Sequence, residues 1–335
     1  MIDEVKDGVA PFGKPPRVMA LSGGVGGAKL ALGLARSLPG HELMVVANTA
    51  DDFYHLGLRV SPDIDTLLYT LADLNNPDTG WGQRDETWSF MDALTKLCPD
   101  SRWFNLGDRD LATHLVRTAQ LGQGVALSAV TRFLAEAFGI TVQVLPMSDE
   151  PVATRVQVEL EGEQVWLPFQ EYFVKWKTEP PVARVDYLGA EDATVPAPVR
   201  TALAGEYLDA VVICPSNPYL SIDPILAVSG MRELVGDARA PVIAVSPLVA
   251  GRAIKGPTAK MMTEMGLRPD ARRIAEHYEG IIDGFVLDNA DETERRDIEA
   301  MGMKVILTNT IMKSLQDRIA LAETVLQFAR ALAHA

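Results

Sequence analysis

Four carboxylates fall within fifteen residues of this chain: Asp51 and Asp52 in NTADDF, then Asp63 and Asp65 in SPDIDT. Clustered acids repel one another unless a cation joins them, and hard carboxylate oxygens suit Mg2+. A second chemical signal lies just upstream. In MALSGGVGGAKLALGL (19–34) an apolar run stops at four glycines in five positions, and a helical pattern starts straight after. Glycines let backbone N–H groups approach an anion, and a helix N-terminus adds partial positive charge. Ser22, Gly23, Gly24, Gly26, Gly27 and Lys29 therefore form a candidate phosphate cradle. The alternative is a tight strand-to-helix turn with no ligand.

The two familiar cradles both fail on this stretch. From Gly24 the dinucleotide pattern G-x-G-x-x-G meets Lys29 where its third glycine belongs. A P-loop alignment puts Ala28 at the last glycine and Leu30 where Ser or Thr would hold Mg2+. Metal ligands must then come from elsewhere, and the acid cluster is the nearest supply. Asp65 has a competing reading as a helix N-cap, and Asp51 and Asp52 one as solvated loop acids.

Three further segments carry usable groups. FNLGDRDLATHLVR (104–117) sets Arg109 between Asp108 and Asp110, a fork suited to phosphate or carboxylate, with Asn105 beside it. His114 reads as a packed or capping histidine. VVICPSNPYLSI (211–222) places Ser216 and Asn217 at a strand end, for a phosphate, a base or a local turn. SPLVAGRAIKGPTAKMM (246–262) brings Arg252, Lys255 and Lys260 near another strand end.

Seven apolar runs read as strands: 17–21, 43–47, 141–145, 210–214, 241–245, 284–287 and 304–307. Helical patterns separate them near 27–37, 64–74, 110–120, 127–138, 197–205, 223–235, 257–265, 270–278, 291–300 and 316–333. That alternation predicts a Rossmann-like α/β fold, a mostly parallel sheet with helices on both faces. Both the glycine stretch and the acid loops should open at the carboxyl edge of that sheet, where such folds bind ligands. TRVQVELEGEQVWLPFQEYFV (154–174) alternates with period two around Glu-Gly-Glu and predicts an antiparallel hairpin, a small flap within 150–190. Residues 1–16 read as a loose arm, and 17–332 as one domain.

The formal net charge is −14. With no run of Lys or Arg, it argues against nucleic acid and anionic membranes as partners. Two distant cysteines, Cys98 and Cys214, fit a reduced cytoplasmic protein. No apolar stretch is long enough for a membrane span.

Taken in order, SGGVGGAK, NTADD, SPDIDT, WG-x-RDETW (81–88), LGDRDLATH (106–114), LPMSDEPV (145–152), FQEYFV (169–174), PSNPYLSI and KGP resemble one family across nearly the whole chain. It is the 2-phospho-L-lactate transferase family of coenzyme F420 biosynthesis, whose bacterial members are also called phosphoenolpyruvate transferases. Val25 stands where archaeal members tend to have Thr. The resemblance implies a guanylated three-carbon phosphoacid as donor and the deazaflavin Fo as acceptor. GMP is released, Mg2+ assists, and the protein is a homodimer. It further implies Asp65 as first choice to hold Mg2+ and touch the acceptor hydroxyl, with Asp63 and Asp51 as its partners. Asn105, Asp108 and Arg109 would lie toward Fo. The aromatic residues Trp81, Trp88, Trp103 and Phe53 read either as a stacking wall or simply as core. Two other classes compete. One is a nucleotide-sugar-binding regulator with a related glycine loop and no turnover. The other is an NAD-dependent dehydrogenase, disfavoured because both the glycine pattern and the ribose-binding acid fail.

Overall fold

The computed structural model describes residues 15–99 and 103–334, so all but the last two residues of the expected arm lie outside it. Fourteen strands occur among the described residues, in chain order β1 (Val18–Ser22), β2 (Leu43–Ala47), β3 (Phe53–His55), β4 (Leu58–Val60), β5 (Gln143–Pro146), β6 (Ala153–Leu160), β7 (Glu163–Pro168), β8 (Val182–Leu188), β9 (Ala210–Ile213), β10 (Val242–Val245), β11 (Leu248–Val249), β12 (Arg252–Ala253), β13 (Gly284–Asp288) and β14 (Lys304–Thr308). Seven of them build a central sheet in the order β14-β13-β10-β9-β1-β2-β5, every pairing parallel. These are the seven runs expected from sequence, with ends moved by one or two residues.

Parallel strands are buried on both faces, which is why they read as unbroken apolar runs. Along β1, Met19 and Leu21 enter one core while Val18 and Ala20 enter the other. Helices α1 (Gly24–Ser37), α2 (Pro62–Leu71), α5 (Leu127–Ala137) and the C-terminal helix Leu315–Ala333 cover the second face. The segments Pro224–Val235 and Ala271–Tyr278 help cover the first. Two further helices, α3 (Ser89–Leu97) and α4 (Asp108–Gly122), stand over the β3–β4 hairpin. The sequence pattern did not predict α3.

The strand order reverses between β1 and β9. In doubly wound sheets that reversal opens a crevice at the carboxyl ends of the two strands, the preferred ligand site. Ser22–Gly23 and Pro215–Ser216 end these two strands. Ser216 Oγ donates to the Gly23 carbonyl at 2.7 Å and accepts from Gly23 N–H at 3.2 Å, so one hydroxyl joins both loops.

The expected flap is a three-stranded antiparallel sheet, β7-β6-β8, with β8 added to the predicted hairpin. Glu161 and Gly162 turn the hairpin at φ 53° and 85°, the mirror-image turn that matches strand twist. A wide π-helical turn, Glu171–Lys175, follows β7 and brings Phe173 into the lining of the crevice.

Candidate functional site

A cavity of about 560 Å3 occupies the crevice. One end is walled by Gly23, Gly24, Val25, Gly26 and Lys29, with Pro215, Ser216 and Asn217 opposite. Trp103, Phe104 and Asn105 line the cavity beside the β3–β4 hairpin, Phe169 and Phe173 line it from the flap side of the chain, and Trp81 follows Gly80, which packs against Val25. Asp51, Asp63, Asp65, Asp110 and His114 line the interior.

The glycine stretch is not a long loop. Helix α1 begins at Gly24, and only Gly23 stays extended before it. Close packing explains three of the four glycines. A Cβ at Gly23 would lie 2.5 Å from Ser221 Cβ, and one at Gly26 would lie 2.3 Å from the Pro215 carbonyl oxygen. At Gly27 it would lie 2.4 Å from Ser22 Oγ. Gly24 differs: its φ of +63° suits glycine, and the space beside it is open. Its N–H is held by Asp63 Oδ1 at 2.7 Å. The first-turn N–H groups that follow, at Val25 and Gly26, have no intrahelical acceptor and border the cavity. Lys29 adds a cation whose Nζ donates to the Met312 carbonyl at 3.2 Å. Burial, then Arg318 and Lys255, push its ammonium below the usual lysine range. Ser22 and Gly27 are buried behind the wall rather than in it.

The acids divide into two groups, and helix geometry is the cause. Residues two apart on a helix point about 200° away from each other. Asp63 and Asp65 share the first turns of α2 and therefore diverge. Asp63 turns to the glycine end, where Asn48 Nδ2 bridges its Oδ2 at 3.0 Å to Asp51 Oδ1 at 3.2 Å. Burial pushes Asp63 up to about 6, against the opposing hydrogen bonds from Asn48 and Gly24. Asp51 is raised well above the usual range by burial and by the charges of Asp63 and Asp52. Asp52 pairs with Arg59 at 3.2 Å and accepts from Ser61 Oγ at 2.6 Å; burial nevertheless lifts it to about 7.

Asp65 turns to α4. Both its oxygens bind the guanidinium of Arg117, which is completely buried, with Nη1 at 3.1 Å from Oδ2 and Nη2 on Oδ1. The expectation that Asp65 gathers Asp63 and Asp51 about one ion is therefore corrected. Its charge is already balanced, and it faces away from them. Nor is Asp65 the N-cap of α2, a place taken by Ser61. His114 and Asp110 complete this second group, with Tyr69 donating to Asp110 Oδ1 at 2.6 Å. Asp65, Asp110 and His114 each bring one ligand atom within 4.8 Å of the others.

Asp108 and Arg109, assigned from sequence to a phosphate or to Fo, lie outside the cavity wall. Asp108 caps α3, accepting from Ser89 N–H at 3.1 Å, Phe90 N–H at 3.0 Å and Thr87 Oγ1 at 2.5 Å. Glu86 caps α4 in return, accepting from the N–H groups of Arg109 and Asp110 at 2.9 Å each. The Arg109 side chain donates to the Arg84 carbonyl. RDETW and LGDRD are thus two helix starts that cap each other, and they hold Asn105 in the wall. Asn217 likewise caps its own turn, accepting from Tyr219 and Leu220 N–H, while still bordering the cavity. Of the expected stacking residues, Trp81 and Trp103 reach the wall. Phe53 packs edge-on to Phe104 at 4.9 Å instead, and Trp88 stays outside. Phe104, Phe169, Phe173, His114 and Arg117 were not predicted as site residues. Only the spacing of Asp110, His114 and Arg117 on one helix face hinted at the last two.

Fold and cavity define a doubly wound α/β protein with a cavity at its topological switch point. The chain belongs to the 2-phospho-L-lactate transferase family: the profile described as 2-phospho-L-lactate transferase CofD matches residues 18–317. It is 39% identical over 314 residues to a phosphoenolpyruvate transferase of Streptomyces griseus, covering 93% of this chain and 98% of that one. It is 37% identical over 316 residues to a 2-phospho-L-lactate transferase of Methanocaldococcus jannaschii, covering 94% and 99%. A UPF0052-family crystal structure from Bacillus halodurans superposes with a TM-score of 0.59 at 15% identity, covering 93% of this chain and 99% of that one, a likeness of fold alone. The Rossmann-like fold and the transferase family expected from sequence both stand. Among the described residues no helix is long and apolar enough to cross a membrane.

Proposed function

We propose that this transferase moves a phosphorylated three-carbon acid from its guanosine-diphosphate-linked donor to the terminal hydroxyl of the deazaflavin Fo. The hydroxyl oxygen bonds to the phosphorus that carries the acid. The bond from that phosphorus to the bridging oxygen breaks, GMP leaves with that oxygen, and the hydroxyl proton passes to the leaving phosphate or to solvent. The observation that carries the reading is the cavity itself, whose one lining holds both a helix N-terminus with Lys29 and the aromatic side chains of Trp103, Phe104 and Phe173. Phosphoryl transfer needs chiefly positioning and charge neutralisation, and these groups supply positions for a phosphate chain and a flat ring. The family match and the relatives named phosphoenolpyruvate transferase and 2-phospho-L-lactate transferase support a phosphorylated three-carbon acid as the group moved.

The acids at the glycine end fit Mg2+. Asp51 and Asp63 are buried, raised and mutually repelling, and they line the cavity beside the N–H groups. They would hold the ion, which when bound neutralises phosphate charge. Asn48 orients both carboxylates, and Asp63 also fixes the Gly24 N–H. By the same resemblance we propose a cytoplasmic homodimer.

Mass spectrometry after incubation with Fo, Mg2+ and each guanylated acid tests the reading. The expected result is an Fo phosphodiester with one preferred acid, plus GMP. No product with any donor, together with tight binding of a nucleotide sugar, would establish a binding module instead.

A further inference from the structure

The turn at residues 76–82 closes on itself. Asn76 N–H donates to the Gly82 carbonyl at 3.0 Å and Gly80 N–H to the Asn76 carbonyl at 2.9 Å, while Asn76 Oδ1 accepts from Asp78 N–H at 2.9 Å. Among the described residues one hydrogen bond ties this turn to a distant part of the chain. Lys255 Nζ, from the loop after β12, donates to the Thr79 carbonyl at 2.5 Å. Thr79, Trp81, Lys255 and Lys29 all line the cavity.

A carbonyl is a poor partner for an ammonium. It takes one of three donors and compensates none of the charge. Among the described residues Lys255, Lys29 and Arg318 form no ion pair with a carboxylate. The three stand within electrostatic reach of one another: Arg318 and Lys255 add to burial in pushing the Lys29 ammonium down. Arg318 Nε is buried without a hydrogen-bond partner. In a chain of net charge −14, a group of cations left unpaired by acids marks a place for an anion from outside.

The packing puts Lys255 beside the glycine stretch. Gly80 has a φ of +82°, and a Cβ there would lie 2.7 Å from Val25 Cγ1 and 3.3 Å from Lys255 Nζ. The turn thus rests on the first turn of α1 with the ammonium at its side. Lys255 is exposed, so its side chain can swing without breaking the core. An anionic oxygen binds an ammonium roughly twice as strongly as a neutral carbonyl does.

We infer that Lys255 moves from the Thr79 carbonyl onto an anionic oxygen of the guanylated donor, so that donor binding unties the 76–82 turn and shifts Trp81. The inference rests on the transferase reading and adds a donor-positioning residue with a movement coupled to it. Phosphate and carboxylate offer the same oxyanion chemistry, and the choice of ligand separates them.

The test titrates GDP and each guanylated three-carbon acid into the wild type, Lys255→Met, Lys255→Arg and Trp81→Phe, following heat and tryptophan emission. Lys255→Met should weaken binding about tenfold or more, as expected for one hydrogen bond to a charged group. Lys255→Arg, which keeps the charge, should retain most of the affinity. The wild type should change its emission on binding, and Trp81→Phe should lack that change. Lys255→Met should show the emission of the ligand-bound wild type before any ligand is added. Weakening with GDP assigns the contact to phosphate, and weakening with the guanylated acids alone assigns it to the carboxylate. A purely structural strap predicts altered emission with unchanged affinity for every ligand, and that result overturns the inference. Weakened binding with no Trp81 signal in the wild type overturns it too. A wild type that binds neither GDP nor any guanylated acid removes the transferase reading as well.

Discussion

Replacing Asp65 by Asn should damage the fold before it reports on catalysis. Asp65 is 5% exposed and Arg117 fully buried, and the carboxylate holds both terminal nitrogens of the guanidinium. Asn keeps one acceptor oxygen but no charge, so the buried guanidinium loses its counter-ion. Breaking a buried pair from one side costs roughly 3–5 kcal/mol, because the remaining charge stays desolvated. The retained hydrogen bond argues for the lower figure, about 3 kcal/mol. In a chain of this size each kcal/mol moves the melting temperature by about 2 °C, which gives a drop of about 6 °C. Differential scanning calorimetry of wild type, Asp65→Asn, Arg117→Gln and the double variant measures it. Once Asp65 no longer carries charge, removing Arg117 removes the penalty as well. The double variant should therefore melt no lower than Asp65→Asn alone. An Asp65→Asn protein that melts within 1 °C of wild type, or a double variant whose losses simply add, would refute the buried-pair argument. A helix N-cap, by contrast, tolerates Asn as well as Asp.

Two further outcomes follow from the glycine end and its acids. Gly26→Ala should lower the melting temperature more than Gly24→Ala, since its Cβ would overlap the Pro215 carbonyl while an alanine at Gly24 meets only the strain of a positive φ, about 1 kcal/mol, and Gly24→Ala should weaken GDP binding more in isothermal titration; the reverse ordering of affinities would return Gly26 to the ligand. Asp52 titrates near 7 in the fold and near 3.8 when free, so the native state binds the extra proton between those values. Its contribution to stability is present below pH 4 and lost as pH rises through about 7. Relative to Asp52→Asn, the wild type should thus lose stability between pH 5 and pH 8 in urea titrations, and a constant difference would contradict the burial argument.

The sheet was legible because burial on both faces writes itself as unbroken apolar runs, and the strand order then placed the crevice. α3 was not legible. Its N-cap support comes from Asp108, nineteen residues away, and no local pattern announces a cap from that far. LGDRD misled for the same reason: an arginine between acids resembles an anion site, and only the position of Glu86 shows that backbone N–H groups are being capped. The divergence of Asp63 and Asp65 could have been read from helical spacing. The burial of Arg117 could not, because a charged residue in sequence reads as surface until its partner is known.

Because Asp63 and Asp65 ride on one turn of α2, the contacts at the glycine stretch and those at Arg117 are geared together. A single residue inserted or deleted between Asp65 and Leu67 would turn both acids by about 100° relative to the buried face that Leu67 and Leu68 anchor. Each would leave its own partners, Gly24 and Asn48 on one side and Arg117 on the other. Substitutions can alter either set of contacts alone, but a change in length here would strip both sets of their acids at once. A lineage in which this turn has drifted in length would therefore have to rebuild both sets of contacts together.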